Sequence, residues 1–271
     1  MKSAAFDYTR PASVAEALQS LAANPNAKVL AGGQTLGPML NLRFAQPALL
    51  VDITRIPELA AVSEDAESIS IGATVTHAAI EDGRVPDPTA GFLGRVARGI
   101  AHRAVRTRGT IGGSLAHADP AADWLACLTA LDAEIAIAGE RGTRLVALTR
   151  FARGAMETDL GADELLAAIR IPRVPRGTRF GFHKICRKAG EFAEAIGVAV
   201  CAPGGRIIRL VASTANCLPV VCGKANLGSG AGVGAEEIQR WLADAGLTGD
   251  SYELKLAAVA AHRAVAEAMA P

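Results

Sequence analysis

Apolar positions along the chain change period several times, and each change predicts an element. Val14, Leu18 and Leu21 recur at helical spacing. Ser13 and Glu16 stand ahead of them in capping-box order, in which each side chain satisfies an orphan amide of the first turn. Asn24-Pro25-Asn26 stops that helix. A strand over residues 28–30 then runs into Ala31-Gly32-Gly33-Gln34-Thr35, and a second apolar run over 49–53 predicts a strand parallel to it. The opening segment thus reads as one strand–helix–strand unit. Beyond Pro57 the texture alternates: a strand over 68–71, a helix beginning within 74–80, and another over 91–100. Residues 106–114 are rich in glycine and base and predict a loop.

Asp119 and Pro120 suit the N-cap and first position of a helix that extends to about Leu131. Strands are predicted over 133–138, 144–148 and 165–171, and Pro172 and Pro175 mark a linker at 173–177. After it come a strand over 180–185, a helix over 192–201, a strand over 207–211 and a glycine-rich loop over 223–234. Helices over 235–245 and 252–269 close the chain. The class is α+β (mixed α/β) in three sections, 1–56, 57–175 and 176–271, without an internal repeat.

Charge narrows the function. Against 28 Lys and Arg stand 27 Asp and Glu, a net +1, so no global field draws the chain to nucleic acid or an anionic membrane. No stretch approaches the roughly 18 apolar residues of a membrane span, and the first residues lack a secretory apolar stretch, so the expected location is cytoplasmic. The five cysteines include no C-x2-C pair, which points away from a structural zinc or an iron–sulfur cluster and toward buried or incidental thiols.

The candidate chemistry lies in two Gly-Gly loops about eighty residues apart, Gly32-Gly33 and Gly112-Gly113. Consecutive amides in such loops can point into one concavity and bind phosphate oxygens, with the hydroxyls of Thr35, Thr110 and Ser114 as further donors. The same residues also suit tight turns that serve packing alone. Gly230, Gly232 and Ala235 match G-x-G-x-x-A, but the preceding residues are glycine-rich where a buried strand must lead in. His102 and His117 flank the second loop, either as acid–base candidates or as hydrogen-bonding partners of backbone or cofactor. Asp123 reads as a solvated first-turn acid or a ligand, and Lys184 as a snorkelling strand residue or a cation beside a cofactor.

Ala31 to Pro38, followed by T-I-G-G-S-x-x-x-x-D-P-x-x-D from Thr110 to Asp123, resembles the medium, FAD-binding subunit of the xanthine dehydrogenase and carbon monoxide dehydrogenase family, the molybdenum hydroxylases. The opening Phe6 to Leu18, Glu164 to Pro172, Phe182-His183-Lys184 and Lys188 to Ala193 follow in matching order. The resemblance implies a two-lobed vanillyl-alcohol-oxidase-type FAD-binding fold with a C-terminal α+β domain of the CO dehydrogenase flavoprotein type. It implies that Ala31, Gly32, Gly33, Gln34, Thr35 and Leu36 wrap the FAD pyrophosphate and that Thr110, Gly113 and Ser114 complete the cradle. Asp123 is then expected one turn into its helix, at the adenosine portion. Leu166 and Lys184 lie toward the flavin end or the adenine, Lys28 flanks the first loop, and Ala101 joins the cofactor contacts. A cation such as Lys184 or Arg187 near the flavin stabilises the reduced, anionic ring. Phe192 stands where relatives often carry a tyrosine, Ser114 where many carry Asn, and residues 218–234 lack the expected proline–basic–acidic pattern.

By the same resemblance, molybdopterin and two [2Fe-2S] clusters belong to partners: a large molybdenum subunit and a small iron–sulfur subunit, assembled as a dimer of heterotrimers. Electrons then pass from the clusters through FAD to an external acceptor, and no catalytic residue or metal is expected in this chain. The competing expectation is a stand-alone FAD- or nucleotide-binding module without molybdenum partners.

Overall fold

The computed structural model describes residues 2–222 and 233–270. The first sheet is built from β1 (Asp7–Thr9), β2 (Ala27–Leu30) and β3 (Leu49–Asp52), in the order β1-β3-β2 and parallel throughout. Its crossovers carry α1 (Val14–Ala23) and α2 (Leu36–Asn41). Ser13 caps α1 by accepting from the Glu16 amide at 3.2 Å, while the Glu16 carboxylate accepts from Ala12 N at 2.8 Å, one residue earlier than a capping box requires. Ala17 and Leu21 pack against Val51 and Ile53 beneath the sheet.

A short helix, α3 (Pro57–Ala60), leads into the second sheet. There β4 (Val62–Glu64) and β5 (Ser68–Gly72) are followed by α4 (His77–Glu81), α5 (Phe92–Arg98), α6 (Arg103–Arg106), α7 (Ile111–His117) and α8 (Asp123–Ala130). The chain then forms β6 (Glu134–Gly139), β7 (Gly142–Ala147), α9 (Leu148–Phe151), the small pair β8 (Ala152–Gly154) and β9 (Glu157–Thr158), and β10 (Leu165–Pro172). The five strands order as β4-β5-β10-β6-β7, with every pairing antiparallel. Leu165 of β10 joins the apolar cluster of α1 and β3, so the first two sheets share a core.

The third sheet is a meander of β11 (Arg179–Ile185), β12 (Ala195–Ala202), β13 (Arg206–Thr214) and β14 (Cys217–Cys222). Helices α10 (Ala235–Asp244) and α11 (Ser251–Met269) follow, the latter opened by a full capping box at Asp250 and Glu253. Residues 192–201, expected to be helical, contain β12 instead. Ile196, Val198 and Val200 enter the core shared with α8, while Ala195, Ala199 and Cys201 face the core shared with α11. With both faces buried, the strand loses the polar alternation that distinguishes it from a helix.

Two further expectations change. Residues 106–114 are not one loop: the segment holds the end of α6 and the first turn of α7. Asp119 and Pro120 do not start α8; Asp119 Oδ1 accepts from the Ala121 amide at 2.9 Å in a turn, and the helix begins at Asp123. The G-x-G-x-x-A spacing and most of the glycine-rich stretch lie outside the described residues.

The contact between α11 and the third sheet depends on small residues. A Cβ on Gly197 would sit 2.4 Å from the Ala260 carbonyl, and one on Gly181 would sit 1.8 Å from the Ala264 oxygen. Gly197→Ala therefore forces α11 off the sheet and is expected to lower unfolding free energy by about 1–3 kcal/mol or more, the usual range for overpacking. Chemical denaturation measures this, and an unchanged midpoint would contradict the packing described.

Candidate functional site

The first glycine loop leaves β2 at Leu30. Gly33 adopts φ +69°, and the Gly37 amide returns to its carbonyl at 2.9 Å to begin α2. Among the described residues, the amides of Gly32, Gly33, Gln34 and Thr35 have no acceptor, and the Thr35 hydroxyl makes no capping bond. The Gln34 side chain folds back onto the Gly32 carbonyl at 3.1 Å. Successive unpaired amides at the edge of a parallel sheet form an anion-binding concavity. Leu36, the first residue of α2, is half-buried beside it.

The second loop meets the first backbone to backbone. A Cβ on Gly32 would lie 2.1 Å from the Arg108 carbonyl oxygen and 2.7 Å from the Gly109 Cα. A Cβ on Gly113 would approach the Ala31 Cβ to 3.8 Å. The two loops thus form one surface, but they are not equivalent. The amides of Ile111 and Gly112 donate to Val75 and Ala73 at 3.0 Å, and those of Gly113 and Ser114 to the Thr110 Oγ1 and carbonyl at 3.1 and 3.0 Å. Instead of a second open nest, this side has the buried Thr110, whose hydroxyl keeps its own proton to donate, beside the half-buried Ser114 and the exposed Gly113.

His77 props up the second loop, and nothing in the sequence beyond a histidine in an apolar run signalled it. Its amide donates to the Gly109 carbonyl at 2.9 Å, and its Nδ1 accepts from Trp124 Nε1 at 3.0 Å, which places the imidazole proton on Nε2. The ring is buried, and burial, with the Arg106 charge in second place, pulls its pKa down to about 4. It is a neutral support. Of the histidines proposed from sequence, His102 is exposed ahead of α6 and His117 half-buried at the end of α7.

Asp123 and Lys184 form a second focus. Lys184 Nζ reaches Asp123 Oδ2 at 3.0 Å, joining α8 to β11, and both side chains are at least nine-tenths buried. Asp123 is therefore no solvated first-turn acid, and Lys184 does not snorkel. Burial pushes the Asp123 carboxyl up against the opposing pull of Lys184. Its Oδ1 is buried without a partner among the described residues, an acceptor ready for a ligand hydroxyl or amine.

The remaining candidates are more scattered. Leu166 is buried in β10 beside a bulge, and Lys28 stands exposed on β2. Ala101 adopts φ +43° and packs on Gly190, where a Cβ would lie 2.9 Å from the Ala101 oxygen. Two residues along the same segment, Phe192 is 63 % exposed.

Residues 4–174 match the family described as the FAD binding domain in molybdopterin dehydrogenase. The chain is 39 % identical over 196 residues to the caffeine dehydrogenase subunit beta of Pseudomonas sp. (strain CBB1), a match covering 72 % of this chain and 66 % of that one. It is 39 % identical over 191 residues to the carbon monoxide dehydrogenase medium chain of Hydrogenophaga pseudoflava, covering 70 % and 67 %. These matches span about two thirds of the curated relatives' length. Among solved structures, a chain of the Hydrogenophaga pseudoflava carbon monoxide dehydrogenase superposes with TM-score 0.89 at 33 % identity, covering 99 % of this chain and 98 % of the other. A chain of quinoline 2-oxidoreductase from Pseudomonas putida 86 does so with TM-score 0.86 at 34 % identity, over 99 % and 98 %.

Two measurements test this arrangement. A histidine held near 4 when folded and near 6.5 when unfolded contributes stability that is complete above 6.5 and lost as pH falls through 4. Removing that linkage with His77→Gln is expected to flatten the pH dependence of unfolding across this window by roughly 3 kcal/mol; parallel wild-type and variant curves would refute the assignment. Lys184→Met, which strands a buried carboxylate, is expected to cost about 3–5 kcal/mol. Adding Asp123→Asn should recover more than half of that loss in the same denaturation assay.

Proposed function

The chain belongs to the family of FAD-binding domains of molybdopterin dehydrogenases, a family of oxidoreductase subunits, and we propose from that premise that it is the FAD-carrying medium subunit of a heteromeric molybdenum hydroxylase. One observation carries the reading. The four unpaired amides of Gly32 to Thr35 lie where Gly32 is pressed against the Arg108–Gly109 peptide, so a donor-rich cradle opens beside a junction with no room for a side chain.

The residues fit a dinucleotide. Ala31, Gly32, Gly33, Gln34, Thr35 and Leu36 hold the pyrophosphate through backbone amides, while Thr110, Gly113 and Ser114 add hydroxyls and a close surface. Asp123 accepts from the adenosine portion through Oδ1, the atom left without a protein partner. Lys184 keeps that carboxylate in place and adds positive charge to a low-dielectric region. Lys28, Ala101, Leu166 and Phe192 shape the remaining wall. When bound, FAD supplies the link between one-electron donors, two [2Fe-2S] clusters in a small partner, and an external acceptor. Substrate hydroxylation belongs to a large molybdopterin-bearing partner, in a cytoplasmic dimer of heterotrimers. The sections 1–56, 57–175 and 176–271 divide the work into two cofactor-holding lobes and a covering domain. No helix among the described residues is long and apolar enough to cross a membrane.

The test is the visible absorption spectrum of the purified full chain, with released cofactor identified after acid treatment. FAD is expected, and Gly32→Ala is expected to weaken its binding about 10-fold or more, the equivalent of a modest overpacking penalty. A chain that stays colourless and cannot be reconstituted with FAD would overturn the proposal. Co-purification with a molybdenum subunit and an iron–sulfur subunit tests the assembly.

A further inference from the structure

Arg106 lies in none of the cofactor contacts described above, yet in a buried setting its three guanidinium nitrogens donate to four acceptor oxygens. Its Nε and Nη2 form a two-pronged pair with Glu81 at 2.7 and 3.0 Å, which fixes the guanidinium plane. The remaining Nη1 donates to the carbonyls of Ile100 and Ala101 at 2.9 and 3.0 Å. Residue 106 is 8 % exposed, so these bonds are little screened.

What the guanidinium holds is unusual. Ala101 is a non-glycine residue at φ +43°, a conformation that persists only where its surroundings impose it. The Ala101 carbonyl is also the surface on which Gly190 rests, itself at φ +86°. Past Gly190, the Ala193 amide reaches the Ala121 carbonyl at 3.4 Å, two residues before Asp123. The segment 186–194 thus leaves Lys184, touches the second section at Ala101 and Ala121, and carries Phe192 between those anchors.

We propose that Arg106 is a positioning residue for the wall of the cofactor site to which Ala101 and Phe192 belong: it holds Ala101 in the left-handed turn that seats Gly190, and so sets the segment 186–194 and Phe192. The proposal rests on the FAD-binding reading for its functional consequence but not for its structural one. Arg106→Lys keeps the charge and loses the planar fork.

The experiment is amide hydrogen exchange on the full chain without FAD, paired with FAD titration. Arg106→Lys is expected to speed exchange of the Glu191 and Ala193 amides, the two within 188–193 that donate to an acceptor, by about 10-fold or more, the loss of charge-assisted hydrogen bonds in a local opening, and to weaken FAD binding by a similar factor. Ala101→Gly relieves the need to impose a left-handed alanine. In the Arg106→Lys background it is expected to restore both readouts most of the way. A residue that merely stabilises the fold would raise exchange as much in elements remote from the Arg106–Glu81 pair, such as α1 and β13, and Ala101→Gly would not rescue it; either result overturns the proposal. Glu81→Gln, which leaves the guanidinium but removes its orienting charge, gives the same pattern more weakly and serves if Arg106→Lys does not fold. Should wild type bind no FAD, the functional reading fails while the exchange arm still decides the role of Arg106 at the segment.

Discussion

The structure turns on the absence of one side chain. At Gly32 the backbone of the first loop touches the Arg108–Gly109 peptide so closely that even a methyl group would overlap the Arg108 carbonyl. This contact draws the parallel first sheet and the antiparallel second sheet together at their loop ends. Beneath it, Leu165 of β10 shares a core with Ala17, Leu21 and Ile53, so the approach is enforced from the apolar side as well. The first-loop amides have no acceptor among the described residues, whereas the second loop has already satisfied its own. One loop supplies donors; the other supplies the wall that aims them.

The third section joins this pair by a different kind of contact. Helix α8 is buried along its whole length, with Trp124 fully enclosed, and β12 packs its larger apolar side chains against that core. Asp123 and Lys184 lie at the start of this interface. A buried ion pair adds little stability over an apolar pair of the same size, because desolvating both charges offsets most of their attraction. Among the described residues the pair leaves Asp123 Oδ1 buried without a partner. The neutral His77 works on the other side of α8, linking Trp124 to the second loop without placing a charge near it.

Much of this was legible in the residues. The capped helix after Ser13, the parallel strands around the first glycine loop, four of the five strands of the second sheet and the two closing helices follow from local periodicity and punctuation, while the short edge strand β4 does not. The two glycine loops were legible as a pair, and the resemblance they carry leads to the family that residues 4–174 match. Other features were not legible, for physical reasons. β12 is apolar on both faces, so period alone cannot separate it from a helix. Gly112 sits in α7 where the helix packs against Ala73 with no space for a side chain, and glycine-rich sequence reads locally as loop.

The sequence by itself determined the secondary elements with a polar face, the order of the motifs and the kind of chemistry two glycine loops can serve, because caps, breakers and hydrophobic period act within a few residues. Only the tertiary structure decided that the loops touch, that one is open while the other is satisfied, and that Asp123 is buried with Lys184. It also decided that Arg106 reaches Glu81 and Ala101. Each of these is set by backbone approach or burial between residues far apart in the chain, and neither leaves a local signature in composition or spacing.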